Sequence, residues 1–259
     1  MKFLAALRFL TIIPSPWQRE ASPEELGRSL VYFPVVGIII GLILAGLSWV
    51  LGLILPLAVV NVLLIVCLAV ISGALHLDGF ADTCDGIAGH KTAEDRWKVM
   101  HDSRAGSFGV VGIVLLLLVK YISLGSVPES LMMVTLVFMP VVSRWAMVYA
   151  LFAYPYARPS GLGEIFKQEA NWQRFVIATI VTLAVVMGLT HWPNITYSYL
   201  AGLVIMGGTW VIVTAVAAYL KHKFAGLTGD TYGAINEVAE VCVLILVCLL
   251  AHNQWLGLA

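Results

Sequence analysis

Seven stretches, at 30–52, 56–76, 107–124, 129–154, 175–192, 198–219 and 233–255, are almost purely apolar. Each is long enough to cross about 30 Å of hydrocarbon as a helix. Backbone groups in lipid must be satisfied within their own segment, so runs of this length and spacing specify an all-α, polytopic membrane protein. Composition agrees: 60% of residues are hydrophobic and 12% charged, against about 25% charged in soluble domains. Fifteen Lys and Arg balance fifteen Asp and Glu, so no basic field argues for nucleic acid. The reading is one membrane-embedded domain over 1–259, with an N-terminal interfacial segment at 1–29 and a motif loop at 77–106. No internal repeat supports an inverted-repeat transporter.

Basic residues give the sidedness. Lys2, Arg8, Arg19 and Arg28 precede the first stretch, and Lys91, Arg96, Lys98 and Arg104 separate the second from the third. Arg158, Lys167 and Arg174 follow the fourth, Lys221 and Lys223 follow the sixth, and the alternate turns near 53–55, 125–128 and 193–197 carry none. This alternation places the N-terminus and the long connections in the cytoplasm. Of fifteen acids, only Glu129 falls on the opposite side. Chemistry is therefore expected at the cytoplasmic membrane surface.

The opening "MKFLAALRFLTIIPSP" has the look of a signal peptide, but Arg8 interrupts it and no small-residue cleavage site follows. Phe3, Leu4, Leu7 and Leu10 instead space out a short helix lying on the membrane. Cys67, Cys84, Cys242 and Cys248 form no C-x-x-C pair and read as small core residues in a reduced compartment.

Several charges have local explanations. "SPEE" at 22–25 and "TAED" at 92–95 follow the grammar of a capped helix start. Lys120 is expected to be structural, with Glu129 an available partner near the outer surface. Arg144 lies about ten residues, hence about 15 Å, inside the fourth stretch, where a lone cation costs several kcal/mol. Glu237 and Glu240 are its available partners.

The stretch "HLDGFADTCDG" at 76–86 resists such treatment. Asp78, Asp82 and Asp85 at i, i+4 and i+7 share a helical stripe about 60° wide, where like charges repel. With Gly79, Gly86 and Gly89 allowing close approach, the group suits a hard divalent cation held by oxygen, Mg²⁺ above all. Further acids lie in "GLTGDTYGAINEVAE" at 226–240. Asp230 either caps the last helix or joins the site, while Glu237 and Glu240 are read as metal ligands, counter-ions or a base. "HDSRAGSFG" at 101–109 offers Asp102, Arg104 and a helix N-terminus fit to receive phosphate. "YPYARPSGLG" at 154–163 adds Arg158. Acids and cations together describe metal-assisted transfer at a phosphate or pyrophosphate.

These segments, with "RFLTIIPSP" and "LGRSLVYFPVVG", resemble the signatures of the cobalamin synthase family, the adenosylcobinamide-GDP ribazoletransferases, in family order from about residue 8 to 240. The resemblance implies a Mg²⁺-dependent membrane enzyme that joins adenosylcobinamide-GDP to α-ribazole or its 5′-phosphate, giving adenosylcobalamin or its phosphate and GMP. On that reading Asp78, Asp82, Asp85 and Glu240 are metal ligands, and Arg104, Arg158, Gly79 and Gly86 bind substrate. Asp102, Asp230 or Glu237 takes a proton. Oligomeric state is left open.

A CDP-alcohol phosphotransferase is the nearest rival enzyme, but "DGFADT" and "DGIAGH" lack the alanine–arginine of that signature. A divalent-cation or corrinoid transporter would distribute acids along a path through the bilayer, whereas here they crowd one side.

Overall fold

Where the apolar runs lie, the backbone is helical, because nothing else satisfies its polar groups in lipid. The computed structural model describes residues 1–14, 21–88, 92–100, 102, 104–158, 161–189 and 199–253. In chain order the helices are α1 (Lys2–Leu10), α2 (Pro23–Gly27), a 3-10 turn (Arg28–Tyr32) and α3 (Phe33–Gly52). There follow α4 (Leu57–Ile71), α5 (Leu75–Ile87), α6 (Ala93–Met100), α7 (Ser107–Gly125) and α8 (Glu129–Ala153). The last four are α9 (Leu162–Glu169), α10 (Trp172–Leu189), α11 (Tyr199–Phe224) and α12 (Gly229–His252). Arg19, Gly89, Lys91 and the turn at 193–197 lie outside the described residues.

Helix α8 is the centre of the bundle, its side chains buried almost from end to end by α3, α10, α11 and α12. The closest approach is to α3. A Cβ built on Gly37 would stand 2.5 Å from the Pro140 carbonyl oxygen, and one on Gly41 would stand 2.5 Å from the Val137 Cα. Two glycines four residues apart thus let the backbones touch, and van der Waals packing replaces the hydrophobic effect that lipid does not supply.

Six helical stretches are long and apolar enough to cross a membrane. The remaining expected span, at 56–76, is broken near its end: α4 and α5 meet at 89°. The cause is local. Ser72 Oγ donates to the Leu68 carbonyl at 2.9 Å, and Gly73 and Ala74 then take left-handed φ values of 60° and 55°, which no α-helix continues. The 77–106 segment expected as a loop therefore consists largely of α5 and α6.

Both capped starts form as the sequence specifies. Ser22 and Glu25 make a reciprocal box at α2, and Thr92 accepts from the Asp95 N–H at 3.2 Å. Helix α1 forms, with Ala6 and Leu10 buried in the protein core. The four cysteines are free.

Candidate active site

Helix α5 lies against the starts of α7 and α12 and runs antiparallel to both. On the α12 side, a Cβ on Gly79 would stand 2.7 Å from the Asp230 carbonyl oxygen, and one on Gly233 would stand 3.2 Å from the His76 backbone. On the α7 side, the Asp85 carboxylate accepts from the Gly106 N–H at 2.9 Å and from the Gly109 N–H at 2.8 Å. Gly79 and Gly86 thus seat α5 against its neighbours, Gly86 facing Met100 and Phe224, instead of lining a substrate surface. The N-terminus of α7, expected to receive a phosphate, is occupied by Asp85. The attraction is the same one, an anion on unsatisfied N–H groups at a positive helix end, met from within the chain.

The remaining acids of the stripe stand differently. Asp82 feels the charges of Asp78, Asp230, Asp85 and Arg158. Arg158 Nη2 donates to Asp230 Oδ2 at 3.1 Å. Two devices bring this loop cation to α12. Ala157 N–H donates to the Leu227 carbonyl and Leu227 N–H to the Pro155 carbonyl, each at 2.8 Å. The turn before α12 places Gly226 at φ 146°, where a Cβ would strike the Ala157 backbone at 2.8 Å. The cap of α12 is Thr228, boxed with Thr231, so Asp230 does not cap and is left to face Arg158.

Asp78, Arg158 and Asp230 open onto a cavity of about 620 Å³. The rest of its wall is largely aromatic and aliphatic, from Phe9, Phe33, Trp97, Leu151, Tyr156, Phe166 and Tyr232 among others. None of these side chains is a site candidate in the sequence, although Phe9, Phe33, Tyr156 and Tyr232 sit inside the quoted motif segments and Trp97 reads as part of an apolar helix stripe. Their rings lie 10° from parallel with centroids 6.5 Å apart.

The other expected site residues are elsewhere. Asp102 and Arg104 pair with each other on the surface, Arg104 Nη2 to Asp102 Oδ2 at 2.8 Å. Hydrogen bonds from Arg104 hold the Asp102 carboxyl at about 2, which makes it a poor base near neutral pH. Glu237 and Glu240 are buried in the bundle, both bound to Lys120 Nζ, at 2.5 and 2.6 Å. Arg144 Nη1 also donates to Glu240. Two cations thus balance two carboxylates in a region where an unpaired charge costs several kcal/mol. This settles the partners of Arg144 and of Lys120, and Glu129 is not among them. It also removes Glu240 from the aspartates as a metal ligand. His76 is buried between α5 and α12 with neither ring nitrogen hydrogen-bonded among the described residues.

Fitness for a divalent cation rests on charge. Neither Asp78 nor Asp82 has a salt-bridge partner among the described residues, and Asp230 has only Arg158. One guanidinium faces three carboxylates, all hard oxygen donors. Among the described residues no three acidic, His or Cys side chains form a ready-made metal cluster. A cation here would take one or two carboxylates and complete its shell with water and substrate phosphate, which is the habit of Mg²⁺.

Comparison with known proteins gives this geometry a context. The family model described as cobalamin-5-phosphate synthase matches residues 2–248. The chain belongs to that family. It is 39% identical to the adenosylcobinamide-GDP ribazoletransferase of Geotalea daltonii over 251 residues, covering 95% of this chain and 97% of the relative. The enzyme of that name in Roseiflexus sp. is 35% identical, covering 97% and 91%. That of Pseudomonas syringae is 32% identical, covering 96% and 100%. No solved structure matches. As a member of the cobalamin-5-phosphate synthase family the chain is a transferase, and its part in cobalamin synthesis is ribazole transfer.

Proposed function

We propose that this enzyme joins adenosylcobinamide-GDP to α-ribazole or its 5′-phosphate, with release of GMP, at the cytoplasmic face of a bacterial inner membrane. The observation that carries the reading is that Asp78, Asp230 and Arg158, the last two paired, line one cavity whose remaining wall is largely aromatic and aliphatic, with His76. In the transfer, the ribazole 3′-hydroxyl oxygen forms a bond to the cobinamide-side phosphorus. The bond from that phosphorus to the bridging oxygen breaks, and GMP departs with the electron pair.

Arg158 binds the pyrophosphate oxygens and holds the reacting phosphorus at the cavity wall. Of the three candidates for the hydroxyl proton, Asp230 alone lines the cavity, and it accepts the proton. Asp78 and Asp82 would hold Mg²⁺, which would neutralise charge developing on the leaving phosphate. The alternation of basic residues supports the cytoplasmic side.

The test uses the full-length protein in detergent with adenosylcobinamide-GDP, α-ribazole and Mg²⁺, following GMP and the joined corrinoid together. Both products are expected in equal amounts. Formation of neither by folded protein overturns the reading.

A further inference from the structure

The proposed reaction has two substrates of very different character, and the cavity suits only one of them. The corrinoid is large and fringed with amides, each costly to bury without a hydrogen-bonding partner. α-Ribazole is a small nucleoside whose base is a flat, apolar, fused aromatic ring. A cavity of about 620 Å³ falls in the range that encloses a ligand of that size. Its polar side chains include Arg158 and Asp230, bound to each other at 3.1 Å, and Asp78, while aromatic rings make up much of the remaining wall. Phe166 is central to that wall, with ring centroids 4.7 Å from Phe9 and 5.4 Å from Phe33.

We infer that this cavity is the acceptor subsite. It takes the benzimidazole base of α-ribazole against Phe166, Tyr156 and Tyr232 and turns the ribose toward Asp230 and Arg158, while the corrin ring stays outside it. The assignment rests on the transferase reading above. It explains why an enzyme of a large polar substrate carries an aromatic chamber beside its acids: the base is anchored by apolar contact, and the 3′-hydroxyl is thereby delivered to the wall where the phosphate is held.

The experiment measures binding of α-ribazole alone and of adenosylcobinamide-GDP alone to the purified full-length protein, for wild type and two variants. Phe166→Ala removes an aromatic wall. Gly229→Leu adds bulk from α12 at a cavity-lining position where an added Cβ meets nothing within 4 Å, a change independent of any loosening by Phe166→Ala. Both variants are expected to weaken α-ribazole binding by about tenfold or more and to change adenosylcobinamide-GDP binding less than twofold. Unchanged α-ribazole binding in Gly229→Leu, or an equal loss of corrinoid binding, overturns the assignment. Wild-type protein that binds α-ribazole in this cavity without releasing GMP overturns the transfer reading and leaves the subsite supported. Wild-type turnover with α-ribazole affinity indifferent to both variants does the reverse.

Discussion

Gly79 of α5 and Asp230 of α12 are in backbone contact: a Cβ on the first would stand 2.7 Å from the carbonyl oxygen of the second. One missing methyl group therefore sets how near the aspartate stripe comes to the acid that faces Arg158. Replacing Gly79 by Val should drive the helices apart, at a cost of about 1–3 kcal/mol and most of the transferase activity. Thermal unfolding in detergent and GMP release check the two effects. Gly229→Ala, beside Asp230, should shift stability by no more than about 0.5 kcal/mol, since its methyl meets nothing within 4 Å.

Asp85 shares the stripe of Asp78 and Asp82 but acts on the α7 N-terminus. Asp85→Ala should cost about 0.5–2 kcal/mol, the usual loss on removing a helix N-cap, read as a lowered unfolding temperature. The Mg²⁺ concentration giving half-maximal rate should stay as in wild type. A large rise in that concentration would return Asp85 to the metal.

Glu240 is the hub of the buried charges, bound to Lys120 and Arg144. Glu240→Gln leaves two cations facing one carboxylate, and should destabilise the protein by about 3–5 kcal/mol. Pairing it with Lys120→Met should recover part of that loss. Measured unfolding free energies of the two single variants and the double variant test the coupling. Strict additivity would contradict the pairing.

Arg158 contacts Asp230 from a loop held by two backbone hydrogen bonds to Leu227. Arg158→Ala should raise the KM for adenosylcobinamide-GDP by at least about tenfold, the equivalent of 1.4 kcal/mol of lost phosphate binding. Arg158→Lys keeps the charge without the planar fork and should fall between the two. Steady-state kinetics at fixed Mg²⁺ distinguishes them.

The helices were legible because lipid leaves the backbone no alternative, and the i, i+4, i+7 aspartates emerged on one helix as their spacing required. The acids' divided roles were not legible. Asp85 and Asp82 look alike in sequence, and only the arrival of Gly106 and Gly109 beside α5 separates them. The partners of Lys120 were not legible, because nearness in sequence offers Glu129, whereas Glu237 and Glu240 come to it from α12. The break after Ile71 left a weak trace in Ser72 and Gly73. The aromatic cavity left little, since its wall is gathered from separate segments along the chain and aromatic residues in a greasy chain look like ordinary core.

Asp78 and Asp82 are the carboxylates proposed to make phosphoryl transfer depend on Mg²⁺. The most direct measurement is the rate of GMP release against Mg²⁺ concentration for wild type and Asp82→Asn, which keeps the shape and removes the charge. Wild type should be inactive without Mg²⁺, and Asp82→Asn should lose at least about a hundredfold in rate, or about 2.7 kcal/mol of transition-state stabilisation. A folded Asp82→Asn protein with near-normal rate and unaltered Mg²⁺ dependence would contradict it.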